Sequence, residues 1–291
     1  MSSAEIAALH VKDLSDDEVI VLCFLGEYMR RFRIFPLKTL KELSGFSYKR
    51  LSKVIDLLRE KELVRFFTAP YEGVMITLIG LDALALKSLA TMNVIEEFGK
   101  KVGTGKESDI YDALTPEDER VCLKFYRIGR TSFRDTLRKR DYTKEDVPWF
   151  VRSVEAAKRE YEVLRKLHVR GVGVPRPIAQ SWHVVVMEFL DGEIVAEAKE
   201  VVNPDLVLEE TLKIIKEAYR AGYVNGDLSA YNVFVTTDDR VLIIDWPQAV
   251  RRSRKGAIRM LREDVRRLCE YFNKRFGLSY DYEECFREIV S

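Results

Sequence analysis

Three acidic or amide side chains lie at the ends of two short apolar runs in the C-terminal half of the chain. The runs cover residues 233–235 and 241–244 and are separated by a polar turn, a pattern that predicts a β-hairpin. The hairpin would place Asn232, just before its first strand, near Asp245, just after its second strand. Asp227 lies in the preceding loop. The sequence therefore predicts that these three side chains converge at one end of a hairpin.

This set of side chains fits the needs of phosphoryl transfer. One carboxylate orients and deprotonates the acceptor, while an amide and a second carboxylate hold magnesium on the phosphates of a nucleotide. An Asp and an Asn at this spacing usually belong to a solvated turn, but the hairpin and the second Asp behind an aliphatic run favour an active site. The pattern resembles the catalytic and metal-binding loops of the protein-kinase-like superfamily.

Length and composition are consistent with two folded domains. A chain of 291 residues, of which 47% are hydrophobic, is long enough for two folded cores. Its four cysteines show no Cys-x-x-Cys spacing, which argues against a zinc site or a disulfide framework and fits a reducing compartment. No apolar run approaches the roughly 20 residues that span a bilayer, and no secretory signal is apparent. We expect a soluble, cytoplasmic protein without a membrane partner.

The N-terminal third of the chain has the pattern of a winged helix-turn-helix domain. Three amphipathic helices are predicted, the first capped by Ser15 and the third opened by Ser47. Two apolar runs then flank the turn Pro70-Tyr-Glu-Gly73 and predict a β-hairpin. We place this domain at residues 1–92 and a second, larger domain at residues 93–291, which makes the fold class α+β.

The third helix of the N-terminal domain carries a basic face. Its exposed side is predicted to present Tyr48, Lys49, Arg50 and Lys53, a composition that suits contact with nucleic-acid phosphates. A solvated basic face is an equally good interpretation. Winged helices also bind proteins, so the fold does not determine the partner.

A glycine turn between two predicted strands opens the second domain. Gly103 and Gly105 are followed by Lys106 and Ser108. Backbone N–H groups, an ammonium and a hydroxyl on such a turn suit phosphate oxygens. A lone Gly-x-Gly is usually no more than a turn, so the prediction of a nucleotide site rests on the two added side chains.

The next predicted strand contains Lys124 within an apolar alternation. A lysine there needs an anionic partner, because an unpaired buried ammonium is unfavourable. In a kinase-like fold it pairs with nucleotide phosphates and with a helix glutamate. The helix predicted over residues 152–170 offers Glu155, Glu160 and Glu162. We choose Glu160, which lies one turn before Leu164 of the apolar face.

A buried strand beginning at His183 leads into a segment with Met187, Glu188 and Phe189. In the protein-kinase-like superfamily the corresponding connector joins two lobes, and its backbone meets the adenine ring. The resemblance therefore implies that these three residues contact the base of the nucleotide.

Four strings together resemble the RIO family of atypical kinases. They are Gly103-Thr-Gly-Lys-Glu-Ser108, the strand lysine Lys124, Gly226-Asp-Leu-Ser-x-Tyr-Asn232 and Ile244-Asp-Trp-Pro-Gln248. The predicted winged helix narrows the resemblance to the winged-helix-bearing subfamily, Rio type two. The resemblance covers nearly the whole chain and implies a compact, two-lobed kinase-like domain after the winged helix.

The resemblance also implies ligands, roles and a partner. ATP and Mg²⁺ are the expected ligands, and the expected partner is the precursor of the small ribosomal subunit, with its rRNA and ribosomal proteins. By position, Asp227 is the catalytic aspartate, Asn232 and Asp245 bind the metal, and Lys124 binds phosphate. Family members are also thought to form an aspartyl-phosphate at the position of Asp245.

Two features set this chain apart from common patterns. Family members commonly have His-Gly-Asp where this chain has Asn225-Gly226-Asp227, and we expect Asn225 still to bond backbone groups with a modest effect on the loop. After Asp245 there is no Ala-Pro-Glu string, and we expect one helix over residues 257–276 and a short tail. This leaves no room for the helices that dock peptides in ordinary protein kinases, and favours autophosphorylation or an ATPase-driven switch.

Two basic runs predict an rRNA surface, against the alternative of solvated loops. The second run covers residues 251–262, with six basic residues and no acidic one. The basic residues of the first run are Arg127, Arg130, Arg134, Arg138, Lys139, Arg140 and Lys144.

Two other functions stay open at this stage. A small-molecule phosphotransferase of the aminoglycoside or choline kinase type shares the Asp-x-x-x-x-Asn loop and the following Asp, but it needs further C-terminal helices to enclose its substrate. A nucleotide-dependent RNA-binding scaffold with negligible turnover would keep the same residues. The oligomeric state is not predicted by the sequence.

Overall fold

The computed structural model of the chain describes residues 1–129 and 148–291. The chain divides into two compact units. The first comprises Met1–Lys158 and Ala179–Val186, and the second comprises Arg159–Ile178 and Met187–Ser291. Each unit contains both helices and strands, and the predicted α+β class is confirmed. Within the described ranges, no helix combines the length and the apolarity that a bilayer span requires.

Five helices and a three-stranded sheet form the N-terminal part of the first unit. The helices are α1 (Ser3–Val11), α2 (Asp16–Glu27), α3 (Leu37–Ser44), α4 (Tyr48–Glu60) and α5 (Leu78–Thr91). The strands are β1 (Phe35–Pro36), β2 (Val64–Phe67) and β3 (Gly73–Ile76), antiparallel in the order β1-β3-β2. Helices α2 to α4 followed by the β2–β3 hairpin confirm the predicted winged helix-turn-helix fold.

Local sequence signals define the ends of these helices. Ser15 and Ser47 cap α2 and α4, because their hydroxyls accept hydrogen bonds from the backbone N–H groups of Glu18 and Arg50. Gly45 ends α3 in the left-handed conformation, with φ 69°, where glycine carries no Cβ penalty. The apolar faces of the helices meet in a core that includes the fully buried Leu22, Leu40, Leu51 and Leu58.

Helix α1 is absent from the sequence prediction. It begins with a capping box between Ser2 and Glu5, and it packs along α5 with Ala4 and Ala7 completely buried. Because its buried face consists of small side chains, it lacks the run of large apolar residues by which α2 and α4 are recognised. The winged-helix part of the unit therefore begins with a helix that was not predicted from the sequence.

A five-stranded sheet follows, in the order β4-β5-β6-β8-β7. Its strands are β4 (Glu97–Thr104), β5 (Ser108–Leu114), β6 (Arg120–Tyr126), β7 (Pro177–Ser181) and β8 (Val184–Glu188). Strands β4, β5 and β6 are antiparallel neighbours, and Phe98, Tyr111 and Phe125 pack ring against ring along them. The predicted strands on either side of the glycine turn are confirmed as β4 and β5. Helix α6 (Pro148–His168) precedes β7 in the chain.

The second unit contains two small sheets, the C-terminal half of α6 and three further helices. One sheet has the order β12-β11-β9, and the other pairs β10 with β13. The strands are β9 (Gly192–Ile194), β10 (Tyr223–Val224), β11 (Val233–Thr236), β12 (Val241–Ile243) and β13 (Val250–Arg251). The helices are α7 (Pro204–Arg220), α8 (Ala257–Phe276) and α9 (Tyr282–Val290).

The C-terminal segment differs from the sequence prediction in one respect. The helix expected over residues 257–276 is confirmed as α8, which ends at Gly277 in the left-handed conformation with φ 70°. The expected short tail instead folds into α9, which Asp281 caps by accepting from the N–H of Glu283. The prediction missed α9 because a nine-residue helix shows few turns of apolar periodicity, although the cap was visible in the sequence.

The prediction that a basic surface begins at Arg127 is wrong, because this residue is buried. Its side chain is 3% exposed and lies between two buried carboxylates, those of Asp82 on α5 and Asp109 on β5. The physical reason is position: Arg127 directly follows β6, so its side chain is directed into the interior, where Asp82 offers a bidentate partner at 2.7 and 2.8 Å. The rest of that basic run lies outside the described residues.

His183 completes this buried cluster. Its Nε2 atom lies 2.7 Å from Oδ1 of Asp82, and both side chains are fully buried. Burial lowers the pKa of His183, against the opposite pull of Asp82. Burial alone would raise the pKa of Asp82, but the charge of Arg127 and the bond from His183 outweigh it, and the pKa is lowered. The cluster therefore holds a carboxylate, a guanidinium and a neutral imidazole.

Folding stability should depend on pH through His183. The unfolded chain protonates this histidine near its ordinary pKa of about 6.5, whereas the folded chain does so only at lower pH. Stability should therefore be lost as the pH falls through about 6.5, by at most about 1.4 kcal/mol per pH unit. Urea unfolding of the wild type and of His183→Gln at a series of pH values measures this term, which the variant should lack.

The matched control is His168→Gln, which removes an exposed ring on α6. It should keep the pH dependence of the wild type. Identical pH dependence in the wild type and in His183→Gln would show that His183 does not carry the expected effect.

Candidate active site

The predicted hairpin is formed by β11 and β12. The two strands pair antiparallel with Val233 opposite Ile243, and the N–H of Ile244 donates to the carbonyl of Asn232 at 2.8 Å. Asn232 thus lies immediately before the first strand and directly across from the residue that precedes Asp245. The expectation that the hairpin brings these two residues to one end is confirmed.

The backbone of Asp245 is held in an unusual conformation. Its φ is 72°, in the left-handed region that non-glycine residues occupy uncommonly, Asn and Asp more often than most. Asn225 donates from its side-chain amide to the carbonyl of Asp245 at 3.0 Å. The N–H of the next residue, Trp246, donates to Oε1 of Glu160 at 2.8 Å. The peptide groups on both sides of this strained turn are therefore fixed by buried side chains.

Glu160 is the buried acid among the three glutamates considered on α6. It is completely buried, whereas Glu155 forms an exposed ion pair with Arg30 at 2.7 Å and Glu162 faces solvent. Lys124 lies on β6 in the first unit and is itself 7% exposed, whereas Glu160 belongs to the second unit. Their pairing stays a prediction.

Asn225 links the loops of the two aspartates. In addition to its bond to Asp245, its side-chain oxygen accepts from the N–H of Asp227 at 3.2 Å. Between them, Gly226 has a φ of 85°, which favours glycine. The expectation that Asn225 bonds backbone groups is confirmed, and it does so on both sides of the site.

The carboxylate of Asp227 is open to solvent. Its side chain is 73% exposed, and its Oδ1 lies 3.8 Å from a guanidinium nitrogen of Arg267 on α8. An acidic group with this exposure is accessible to a hydroxyl or a water, as a general base must be.

Asn232 directs its side-chain oxygen toward Ser229. The N–H and the hydroxyl of Ser229 donate to that oxygen at 2.9 and 3.0 Å, which closes a capping box around the 3-10 turn Ala230–Asn232. A cation at Asn232 would share the oxygen with these two donors.

The oxygen donors suit a cation that also binds phosphate. Asp245 offers a carboxylate and Asn232 an amide oxygen, and the described residues contain no cluster of three or more His, Cys, Asp or Glu side chains that would hold a metal. Magnesium is commonly bound through one or two carboxylates, with phosphates and waters completing its shell. The residues thus fit magnesium that arrives with a nucleotide.

The glycine turn belongs to the first unit. Strand β4 ends at Thr104, one residue after Gly103, and the turn closes where the N–H of Gly105 donates to the carbonyl of Ser108 at 2.8 Å. Lys106, at the tip, is exposed. The turn is a tight hairpin with its ammonium directed to the surface.

The connector residues are anchored within the second unit. The N–H of Glu188 donates to the carbonyl of Arg176 at 2.9 Å, and the N–H of Arg176 donates to Oε1 of Glu188 at 2.7 Å. Met187 is buried and Phe189 is partly exposed. Contact of these residues with adenine stays a prediction.

The chain matches two known protein-domain families. The RIO domain family matches residues 109–285, and the N-terminal domain family of Rio2 matches residues 11–92. The chain belongs to the RIO family. The resemblance to its winged-helix-bearing branch, Rio type two, is thereby confirmed.

Similar proteins of the RIO family come from distant organisms. The serine/threonine-protein kinase RIO2 of Caenorhabditis elegans is 31% identical over 273 residues, which cover 93% of this chain and 51% of that protein. The RIO-type serine/threonine-protein kinase Rio2 of Methanocaldococcus jannaschii is 34% identical over 209 residues, which cover 69% of this chain and 77% of that protein. The chain spans about half the length of the relatives from Caenorhabditis elegans and Dictyostelium discoideum.

Crystal structures of a RIO-family protein share the fold. The Rio2 kinase of Chaetomium thermophilum, in an ADP/Mg²⁺-phosphoaspartate complex, matches with a TM-score of 0.83 and 26% identity. The match covers 96% of this chain and 88% of that one.

Asp264, which supports the loop of Asp227 in this RIO domain, was not predicted from the sequence. Asp264 on α8 is 1% exposed, and its two oxygens accept from the N–H groups of Gly226 and Leu228 at 2.7 and 3.1 Å. Arg267 donates to the same carboxylate at 2.6 Å. Burial raises the pKa of Asp264 in spite of these bonds. The available signal was an acid on the apolar face of a helix, amid Leu261, Val265 and Leu268.

Proposed function

We propose that the chain is an ATP- and magnesium-dependent phosphotransferase of the serine/threonine kinase class. The observation that carries the proposal is the arrangement of Asp227, Asn232 and Asp245 around one hairpin, with the backbone of Asp245 fixed by buried side chains. Membership of the RIO family supports it, because the similar proteins carry the name of serine/threonine kinases.

In this proposal the acidic residues have distinct roles. Asp227 orients the acceptor hydroxyl or water and takes its proton. Asp245 and Asn232 provide oxygen ligands for the metal. Magnesium, when bound, neutralises charge on the phosphates of the nucleotide. Asn225 and Glu160 act on the backbone and hold Asp245 in place.

The first unit provides the groups proposed to bind phosphates. Backbone N–H groups at Gly103 and Gly105, the ammonium of Lys106 and the hydroxyl of Ser108 are suited to phosphate oxygens. Lys124, on β6 of the same sheet, supplies a buried positive charge. Met187, Glu188 and Phe189, in the second unit, are proposed to contact the adenine ring.

We further propose that Asp245 accepts a phosphoryl group. One carboxylate oxygen of Asp245 forms a bond to the γ-phosphorus of ATP while the bond to the β,γ-bridging oxygen breaks, and ADP leaves with the electron pair. The crystal structure of the Rio2 kinase from Chaetomium thermophilum as an ADP/Mg²⁺-phosphoaspartate complex supports this chemistry. Hydrolysis of the resulting aspartyl-phosphate would complete an ATPase cycle.

The proposed setting is the cytoplasm and the proposed partner is a precursor of the small ribosomal subunit. The support is a basic surface at residues 251–262, where all six basic side chains are exposed. Arg251 and Arg252 stack over Tyr223 and Tyr219, at 4.4 and 5.6 Å from the ring centroids. Exposed guanidinium groups held over aromatic rings suit contact with phosphates and bases.

The winged helix offers a smaller basic face than its sequence indicated. Lys49 and Lys53 are exposed on α4, but Arg50 forms two hydrogen bonds to Asp17, at 2.6 and 2.7 Å. Because the guanidinium of Arg50 is engaged within the domain, we propose the 251–262 surface, and not α4, as the main contact with rRNA.

Replacing each of the two aspartates by alanine should distinguish the residue needed for ATP binding from the residue needed for turnover. Asp245→Ala should abolish magnesium-dependent ATP binding, because it removes the only carboxylate proposed as a metal ligand. Asp227→Ala should bind ATP normally but lose about 100-fold or more in turnover, the range of general-base effects. Isothermal titration calorimetry with Mg²⁺-ATP measures the affinity, and a single-turnover assay measures the rate.

The matched control for this pair is Asp238→Ala, in the exposed turn of the same hairpin, which should change neither quantity. Unchanged ATP binding by Asp245→Ala would contradict the metal-site assignment. Equal losses of affinity and of rate in Asp227→Ala would require a different role for that residue.

Binding to rRNA should depend on salt and on the basic surface. For each phosphate contact, log affinity should fall by roughly 0.7 to 0.9 per unit of log salt, taking single-strand and duplex values as a guide. Reversal of Arg251, Arg254 and Lys255 to Glu should flatten this slope in filter-binding assays with small-subunit rRNA. ATP turnover should stay at its wild-type value.

The control reverses Lys213, an exposed residue on α7 outside the basic run, and should leave the slope unchanged. If the triple variant binds rRNA with the salt dependence of the wild type, residues 251–262 are a solvated surface and not an RNA contact.

A further inference from the structure

Arg127 joins the winged-helix helices to the sheet that carries the glycine turn. Its guanidinium donates to both oxygens of Asp82 on α5, at 2.7 and 2.8 Å. It also reaches Asp109 on β5 and the hydroxyl of Ser3 on α1, each at 3.4 Å. The side chains of Arg127, Asp82 and Asp109 are each at most 3% exposed. One buried side chain thus contacts three elements from two parts of the first unit.

The backbone of Arg127 holds the glycine turn itself. Its N–H donates to the carbonyl of Glu107 at 2.7 Å, between Lys106 at the tip and Ser108 at the start of β5. Asp109, the next residue of β5, contacts the guanidinium of Arg127 and forms an ion pair with Lys101 on β4 at 2.6 Å. The turn is therefore fixed to Arg127 through its backbone at Glu107 and through a side chain at Asp109.

We propose that Asp82 is a positioning residue for the phosphate-binding turn, so that the winged-helix domain takes part in nucleotide binding by way of Arg127. The proposal rests on the proposed function of the turn in binding ATP. In this account Asp82 never touches the nucleotide. It fixes the rotamer of Arg127, and Arg127 fixes the carbonyl of Glu107 and the carboxylate of Asp109.

The geometry of the pair accounts for this role. A bidentate contact between a guanidinium and a carboxylate fixes orientation as well as distance. Removing one charge of a buried pair leaves the other without compensation, so that the remaining side chain is driven to rearrange. Rearrangement of Arg127 would move the residue whose N–H holds Glu107. Loss of Asp82 would therefore reach the turn in two steps. It first affects the side chain of Arg127, and then the hydrogen bond from the backbone N–H of Arg127 to the carbonyl of Glu107.

A second contact between the winged helix and the rest of the first unit provides a matched control. Arg30, which follows α2, pairs with Glu155 on α6 at 2.7 Å, with side chains that are 65% and 46% exposed. Exposed pairs of this kind contribute little to stability. Within the described ranges, the ion pair joins Arg30 and Glu155 to each other and involves neither the glycine turn nor Arg127.

The test compares Asp82→Asn with Arg30→Gln in the full chain. Asparagine keeps the shape of the carboxylate but places an amide N–H₂ against one arm of the guanidinium. For Asp82→Asn we expect hydrogen exchange to increase across residues 103–109, and the dissociation constant for Mg²⁺-ATP to rise about tenfold, within the range typical of coupling between sites. Turnover at saturating ATP should stay within about twofold of the wild type, because Asp227 and Asp245 are untouched.

Arg30→Gln should change none of these quantities. The second variant is Arg127→Lys, which keeps the buried charge and loses the bidentate contact with Asp82. It should change hydrogen exchange and ATP affinity in the same direction as Asp82→Asn, by a smaller factor. If Asp82→Asn does not fold, Arg127→Lys decides the question by the same measurements.

Three results would be decisive. Lowered thermal stability of Asp82→Asn with wild-type exchange in the turn and wild-type ATP affinity would overturn the proposal, since the pair would be only structural. An equal effect of Arg30→Gln would overturn it as well. Failure of the wild type to bind Mg²⁺-ATP, with increased exchange confined to the turn in Asp82→Asn, would remove the proposed nucleotide function and uphold the link from Asp82 to the turn.

Discussion

The backbone conformation of Asp245 is the constraint on which the acidic site depends. A non-glycine residue with a φ of 72° costs of order 1–3 kcal/mol and persists only where its surroundings hold it. Here the amide of Asn225 binds the carbonyl of Asp245, and the carboxylate of Glu160 binds the following N–H. Because these two side chains come from a loop and from a helix remote in sequence, the position of the Asp245 carboxylate depends on the packing of the whole second unit.

Buried and exposed carboxylates have different tasks in this chain. Glu160 and Asp264 are almost fully buried and bind backbone N–H groups, so they shape the loops without meeting a substrate. Asp227 is largely exposed on one of those loops. In the first unit, Asp82 has a task like that of Glu160, since it fixes Arg127 beside the glycine turn.

Local patterns predicted much of the fold, and remote pairings did not follow from them. The β11–β12 hairpin, helix α8 and the winged helix were recognised from apolar periodicity and caps, because these signals lie within one segment. Arg127 was wrongly predicted to lie on a basic surface, because its partner Asp82 is 45 residues away in the sequence and no local pattern connects the two. Asp264 was missed for the same reason, because it binds N–H groups 36 and 38 residues earlier. Among the site residues, convergence of Asn232 and Asp245 was predictable because one hairpin joins them.

The most direct test of the account is to locate the phosphoryl group after reaction with ATP. The chain would be incubated with Mg²⁺ and ATP labelled at the γ-phosphate and quenched, and portions with and without hydroxylamine treatment would be compared by peptide mass spectrometry. The account predicts label on the peptide containing Asp245, release of that label by hydroxylamine, and no label in Asp245→Asn. Label found only on serine or threonine, or equal labelling of the wild type and Asp245→Asn, would contradict the assignment of Asp245 as the centre of the chemistry.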